Sequence, residues 1–287
     1  MRKLCIAGCG YSGERVAAQA IALGWPVTAQ VRDEQRGTHL KGAGCTVIRC
    51  DMDRLDEISP IPLDGQLLLY SVPPQGGGSL DLRARNFCAA LERDRQLPQR
   101  IVYLSATSVY GDTGGRIVSE SNPTIPTSAM GKRRLDAEQQ FQGFGERHGI
   151  PVVILRLAGI YGPGRLPLMQ ISQGQPLLRE EEARPSNRIH VDDLVQVCMA
   201  ALENGDGIYN VSDGSPCSMT TYFNACADAL GLPRQPQVDM AEAKQSMPPL
   251  LFNYFMESRV VDNSRMLHEL KITLRYPEMF AGIAGSV

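Results

Sequence analysis

The chain has 287 residues, of which 29 are basic and 31 acidic, and its formal net charge is −2. The length suits one large domain with a smaller lobe, and the balanced charge argues against nucleic-acid or membrane partners. The chain has no apolar run of membrane-spanning length and no stretch long enough for a signal peptide, so we expect a cytoplasmic protein. We also expect a monomer or a homodimer whose partner is a small molecule.

The first predicted element is a short apolar strand over residues 4–7. It is followed by a glycine-rich turn, Gly8-Cys9-Gly10-Tyr11-Ser12-Gly13, and by a helix-like segment at 14–23. In a Gly-x-Gly-x-x-Gly turn, the glycines allow a tight bend, close approach of a phosphate and close packing of the helix on the strand. The helix amides then face the phosphate. We therefore predict that these six residues bind the pyrophosphate of a dinucleotide.

The second predicted strand, 26–31, indicates which dinucleotide is bound. An acidic residue about 18–20 positions after the last glycine normally contacts the adenosine ribose of NAD. Here that window holds Val31, then Arg32, and Asp33 is expected beyond the strand, pointing to solvent. An arginine favours the 2′-phosphate of NADP through a charge-assisted contact. We predict that the cofactor is NADP, with NAD as the alternative. Arg32 is expected to bind the 2′-phosphate with support from Arg36, for which a solvated surface charge is the alternative.

Further apolar segments alternate with helix-like ones. The predicted strands are 46–49, 66–72, 100–105, 151–157 and 208–211, and the predicted helices are 35–41, 80–95, 132–147 and 192–203. This alternation is typical of a parallel sheet covered by helices on both faces, with the ligand at the carboxyl ends of the strands. The predicted fold is an α/β, doubly wound Rossmann sheet with a smaller C-terminal α+β lobe.

Composition changes after residue 157, where Pro and Gly become frequent. We expect a dinucleotide-binding domain over 1–160, with its sheet completed by about 186–212. Residues 161–185 and 213–287 are expected to form the substrate-binding lobe. A Pro-Pro-Gln-Gly-Gly-Gly loop at 73–78 either closes over the cofactor or is a mobile connector.

Eight cysteines are present, with no C-x-x-C pair and no histidine at zinc spacing, so no metal site is predicted. Most lie in apolar segments and are expected to be reduced and buried. Cys9 differs because the helix that follows it would lower the pKa of its thiol, which leaves a redox role as an alternative.

Five later segments occur in a recognisable order. They are 51–53 (DMD), 103–111 (YLSATSVYG), 156–164 (RLAGIYGPG), 188–194 (RIHVDDL) and 209–214 (YNVSDG). Together they resemble the extended short-chain dehydrogenase/reductase superfamily, the NAD-dependent epimerase/dehydratase group. The resemblance implies that Asp51 and Met52 contact adenine. We add Val72 and Ser105, at the ends of predicted strands, to the cofactor-binding residues.

The family's catalytic set is a Ser or Thr, a Tyr and a Lys four residues after the Tyr. Matching on the glycine at 131 and the glutamate at 138 places Met130 at the Tyr position and Arg134 at the Lys position. Ala106 stands at the Ser/Thr position. A thioether has no titratable proton, so Met130 is excluded as a general acid or base. The pattern resembles atypical members that keep the fold and lack the Tyr-x-x-x-Lys pair.

Other side chains are candidate replacements. Thr107 is placed to orient a substrate oxygen, Tyr110 is a candidate acid, and Arg134 retains the ability to hydrogen-bond a ribose. Ser128-x-x-x-Lys132 offers a shifted register. A structural role at the strand end is the alternative for each.

The resemblance places Tyr161, which is also a candidate acid, and His190 at the substrate. Arg188 belongs to a basic stretch with Arg179 and Arg184 that is expected to hold a phosphorylated or carboxylated substrate, with a solvated surface loop as the alternative. For His190 and the aspartates at 192 and 193, helix capping is the alternative to acid–base or metal chemistry.

Two functions remain open. The first is an NAD(P)-binding oxidoreductase, epimerase or dehydratase, with NADP favoured, acting on a hydroxylated or sugar-like substrate. The second is a non-catalytic dinucleotide-binding sensor or regulatory protein.

Overall fold

The computed structural model describes residues 2–54, 61–247, 252 and 255–287. Its strands are β1 Leu4–Ala7, β2 Val27–Val31, β3 Thr46–Arg49, β4 Leu67–Tyr70, β5 Arg100–Ala106, β6 Ile117–Val118, β7 Val152–Leu157, β8 Gly159–Tyr161, β9 Leu177–Leu178, β10 Pro185–Ser186, β11 Arg188–His190, β12 Gly207–Val211, β13 Cys217–Ser218, β14 Gln237–Val238 and β15 Val260–Val261. The helices are α1 Tyr11–Ala22, α2 Glu34–Gly42, α3 Leu82–Arg93, α4 Ala129–His148, α5 Leu168–Ser172, α6 Val191–Asn204, α7 Met219–Ala229 and α8 Met240–Ser246. A 3-10 turn spans Thr107–Tyr110, and two short helices, Ser264–Glu269 and Met279–Ala284, lie near the C-terminus.

Seven strands form one parallel sheet in the order β12-β7-β5-β4-β1-β2-β3. The predicted α/β doubly wound fold is therefore confirmed. The chain passes outward from β1 to β3 and then returns to the other side of β1 with β4. This reversal opens a crevice beyond the carboxyl ends of β1 and β4, where doubly wound folds bind their ligands.

The sheet is buried on both faces, which explains its continuous apolar strands. Along β1, Leu4 and Ile6 pack with α1 and α6 on one face. Cys5 and Ala7 pack with α3 and α4 on the other, as the two-residue period of a strand requires.

A third apolar cluster lies outside the sheet. Tyr161 and Leu178 meet Met219, Phe223 and Ile283 there, so segments on both sides of β12 share one core. In the part of the chain that the structure describes, no helix has both the length and the apolar character needed to cross a bilayer.

A buried polar network ties the sheet to the segments that follow it. Arg156 in β7 pairs with Glu138 in α4 at 2.8 Å between Nη2 and Oε2, with side chains only 5% and 2% exposed. Ser105 Oγ donates to Glu138 Oε1 at 2.6 Å. Arg156 Nη1 also donates to the Tyr110 hydroxyl, which in turn donates to Asn210 in β12. One ion pair therefore fixes α4, β5, β7, β12 and the 3-10 turn relative to one another.

Replacing Glu138 with Gln should strongly destabilise the protein, because it leaves the Arg156 charge buried without its counter-ion. Removing one partner of a buried pair costs about 3–5 kcal/mol. Urea denaturation of Glu138→Gln measures the loss, with the exposed Glu146→Gln on the same helix as the control. Equal stability of the two variants would contradict the assigned role.

Candidate cofactor and substrate sites

The glycine turn after β1 is held in a bend that suits only glycine at its first position. Gly8 has φ +79°, and a Cβ there would lie 2.8 Å from the backbone nitrogen of Val72. Gly8 N–H donates to Oε1 of the buried Gln30 at 2.9 Å, and Gln30 Nε2 donates to the Cys50 carbonyl at 2.5 Å. Sequence reasoning missed Gln30, although a polar residue inside an apolar strand was a visible signal.

The helix that follows begins with free amides. In the described chain, α1 alone among helices of nine or more residues starts without a side-chain cap, whereas the others are capped by Asp33, Asp81, Ser128, His190 and Ser218. The first-turn amides of a helix have no acceptor within the helix. A Cβ on Gly13 would lie 3.0 Å from Ile6 Cγ2, so this glycine allows the predicted close packing. The turn and helix start therefore fit a bound phosphate.

A cavity of about 330 Å³ opens beside this turn at the sheet reversal. Its walls are formed by Gly8, Cys9, Gly10, Gln30, Val31, Arg32, Asp33, Arg36, Cys50, Asp51, Met52, Val72, Pro73 and Arg83. Seven of the residues predicted to bind the cofactor are thus brought together: Gly8, Cys9, Gly10, Arg32, Asp51, Met52 and Val72.

The other predicted cofactor residues lie elsewhere. Ser12 and Gly13 are buried in the first turn of α1 and do not line this cavity. The Tyr11 hydroxyl donates to the Pro163 carbonyl at 3.1 Å, which ties the 162–165 loop to α1. Ser105 is buried and its hydroxyl holds Glu138, so its assignment to the cofactor is corrected to a structural one.

Cys9 does not have the reactive thiol that its position suggested. Burial raises the pKa of Cys9 to about 12, with the nearby Cys45 adding to the increase. Desolvation of the thiol outweighs the lowering of its pKa by Arg36. Seven of the eight cysteines are buried, and Cys217 is half-buried.

Two arginines flank the cavity where β2 ends. Arg32 has a side chain 67% exposed, and its Nη1 lies 3.7 Å from Asp53 Oδ2. Arg36 is more than a surface charge, because its Nε donates to the Cys9 carbonyl at 2.8 Å and its Nη2 pairs with Glu14 at 2.9 Å. Asp33 is engaged as the cap of α2, where its Oδ1 accepts from Arg36 N–H at 2.8 Å.

Asp53 is neutralised by another cation, Arg83. Arg83 donates to both Asp53 oxygens, at 2.6 and 2.7 Å, and to the Pro73 carbonyl at 3.0 Å. The hydrogen bond from Arg83 is the main reason why the pKa of Asp53 is lowered. Arg83 therefore joins two walls of the cavity and offsets the negative charge beside Arg32.

The glycine-rich loop after β4 is tethered. Nη1 of the buried Arg133 donates to the Gly77 and Gly78 carbonyls at 3.1 and 2.9 Å, and Gln75 Nε2 donates to the Leu80 carbonyl. The described contacts therefore fix this loop to α4, and Pro73 at its start lines the cofactor cavity.

A second cavity, of about 260 Å³, lies beyond the carboxyl ends of β5 and β7. Its walls are formed by Ala106, Thr107, Ser108, Ser128, Met130, Leu157, Ala158, Gly159, Ser186, Asn187, Glu257 and Arg259. Thr107, a predicted catalytic residue, is among them, together with Ala106 and Met130, which the sequence comparison matched to two of the family's catalytic positions. Ser108 was missed, and its buried Oγ has no hydrogen-bond partner in the described structure.

Two other predicted catalytic residues are engaged in hydrogen bonds that hold the fold together. Tyr110 is buried between Arg156 and Asn210, so it is corrected from a candidate acid to a network residue. Arg134 Nη1 donates to the Leu104 carbonyl at 2.9 Å and to the Tyr103 hydroxyl. Neither lines the second cavity. Ser128 Oγ accepts from Gly131 N–H and caps α4, whereas Lys132 is exposed. The described structure therefore shows no hydrogen bond between the side chains of Ser128 and Lys132, the two residues of the shifted register.

The three predicted substrate residues lie in or beside the third apolar cluster, and none of them lines the second cavity. Arg188 stacks over Tyr222 at 3.8 Å, and Tyr161 is almost fully buried. His190 Nδ1 accepts from Asp192 N–H, so the histidine itself caps α6. Burial lowers the pKa of His190.

Asp213 beside them gives the stability of the protein a pH dependence. Burial raises the pKa of Asp213 to about 7, against 3.8 for an ordinary aspartate. Between these values the folded chain binds the extra proton, so its free energy of unfolding should fall as pH rises through this window. Asp213→Asn should flatten that fall in melting temperature between about pH 4 and 7. An unchanged pH profile would contradict this, and the exposed Asp64→Asn is the control.

Comparison with known proteins agrees with this architecture. The family model described as NAD dependent epimerase/dehydratase family matches residues 83–212. A solved structure of a functionally unknown conserved protein from Silicibacter pomeroyi is 30% identical, with a TM-score of 0.82 over 99% of this chain and 97% of that chain. Protein YeeZ of Escherichia coli is 28% identical over 97% of both chains.

A more distant structure shares the fold. MoeE5, solved in complex with UDP-glucose and NAD, is 21% identical, with a TM-score of 0.74 over 100% of this chain and 97% of that chain. Sequence motifs, sheet order and these similarities lead to one conclusion. The chain belongs to the NAD-dependent epimerase/dehydratase family.

Proposed function

We propose that this protein binds NADP(H) in the first cavity and acts as an oxidoreductase, epimerase or dehydratase on a hydroxylated or carbonyl substrate in the second. The observation that carries the proposal is the pair of arginines, Arg32 and Arg36, beside the glycine turn. At this strand end an acidic side chain would accept hydrogen bonds from the ribose of NAD, whereas cations favour a 2′-phosphate.

The local charges support NADP over NAD. Asp33 is engaged at the start of α2, and Asp53 is held by Arg83, so neither carboxylate is free to oppose a phosphate near Arg32. Arg32 itself is mostly exposed, and its one ion-pair contact within the described residues is with Asp53 at 3.7 Å. Its guanidinium is therefore available for a charge-assisted contact.

The residues present suit the rest of a dinucleotide. The amides that begin α1 and the Gly8–Gly10 backbone would hold the pyrophosphate, and Asp51 and Met52 line the wall expected to face adenine. When bound, NADP supplies or accepts a hydride. Thr107 and Ser108 directly follow β5, which is next to β4 in the sheet, and would orient a substrate oxygen.

Replacing Arg32 with Ala should weaken NADPH binding by about 10- to 100-fold and leave NADH binding nearly unchanged, because only NADPH carries the 2′-phosphate. Calorimetric titration with both cofactors measures the difference. Arg49→Ala removes the same charge from an exposed position outside the cavity and is the matched control. Equal loss for NADPH and NADH would rule out the assignment.

A second function is favoured by one observation. Ala106 and Met130 present only a methyl group and a thioether to the second cavity, and Arg134 is engaged by the Leu104 carbonyl. A protein that binds the dinucleotide without turnover, as a sensor or regulator, is consistent with these groups. It would differ in its affinity for the oxidised and reduced cofactor.

The triple variant Ala106→Ser, Met130→Tyr, Arg134→Lys distinguishes the two functions. If the parent is non-catalytic, the variant should gain hydride transfer on carbonyl or nucleotide-sugar substrates that the parent ignores. Absorbance at the NADPH band measures turnover, and an unchanged NADPH affinity shows that the variant is folded. Turnover by the parent would exclude the sensor function.

A further inference from the structure

The second cavity has a wall without available charge. Among its twelve described lining residues, only Glu257 and Arg259 are ionisable. They pair with each other at 2.7 Å between Oε2 and Nη2, with side chains only 20% and 11% exposed. The two charges therefore cancel each other, and the described wall of the cavity has no net charge.

Both side chains also form hydrogen bonds outside the ion pair. Arg259 Nε donates to the Gly111 carbonyl at 2.8 Å, and Glu257 Oε1 accepts from the Thr127 hydroxyl at 2.9 Å. An anionic ligand that recruited Arg259 would leave Glu257 largely buried without its counter-ion, which is costly in a low-dielectric site. The ion pair therefore disfavours phosphate groups inside the cavity.

The uncommitted polar groups lie together at one end. Ser108 Oγ is buried without a partner, and Thr107 stands next to it. Much of the remaining wall is apolar, formed by Ala106, Met130, Leu157 and Ala158. A buried hydroxyl without a partner is unfavourable until a ligand supplies one.

The cavity, of about 260 Å³, offers no unpaired cation to a phosphate among its described lining residues. We propose that it binds a compact, uncharged carbonyl or alcohol compound, with the oxygen at Ser108 and Thr107 and the apolar body against Met130, and that it excludes nucleoside diphosphate sugars. This proposal rests on the proposed function only in taking this cavity as the substrate site.

The test is calorimetric titration of three probes, cyclohexanone, cyclohexanol and UDP-glucose, into the protein with and without saturating NADPH. At least one neutral probe should bind to the wild type. Met130→Trp, which fills the cavity, and Ser108→Ala, which removes the free hydroxyl, should each weaken that binding. UDP-glucose should give no binding heat with the wild type.

The variant Glu257→Gln sharpens the test, because Gln keeps an acceptor for Thr127 but releases Arg259. UDP-glucose should then bind at least about tenfold tighter than to the wild type. The exposed Glu181→Gln, with the same change in net charge, should not show this gain.

Two results would overturn the proposal. One is UDP-glucose binding as tightly to the wild type as to Glu257→Gln. The other is the absence of any neutral-probe binding that Met130→Trp weakens. Titration with NADPH alone tests the cofactor assignment separately, so failure of either proposal can be recognised by itself.

Discussion

The buried ion pair between Arg156 and Glu138 is the constraint on which the rest of the site depends. It joins a central strand to the helix that carries Met130 and Arg134, and its hydrogen bonds extend to Ser105 and Tyr110. Taking both charges out of water is costly unless their partners are fixed, so the network permits little relative movement. The second cavity lies directly above this rigid base.

The two cavities follow from strand order and handedness. Parallel strands bring their carboxyl ends to one edge, and the reversal between β1 and β4 separates the helices there. The first cavity has backbone amides and arginines, which suit an anionic cofactor. The second has hydroxyls, apolar groups and an internally paired charge. The described wall of the second cavity therefore offers no unpaired cation to a phosphate.

Arginine has two distinct uses in this chain. Arg83 and Arg133 bind backbone carbonyls and hold the loop after β4 in place, whereas Arg32 is left largely exposed at the cavity. The planar guanidinium suits the first use because it donates to several acceptors at once. The exposed guanidinium of Arg32, rather than the number of arginines, supports the proposed phosphate contact.

The sequence by itself determined the fold and predicted seven of the residues that line the first cavity. Apolar period, glycine spacing and turn residues are local signals, and each predicted strand of the sheet lies within two residues of its observed bounds. Only the tertiary structure decided which side chains are free. Tyr110, Tyr161, Arg188 and Ser105 carry suitable chemistry, but long-range contacts bury or engage them. Ser108 remains without a partner for the same reason: hydrogen-bond partners distant in sequence decide whether a polar group is available for chemistry.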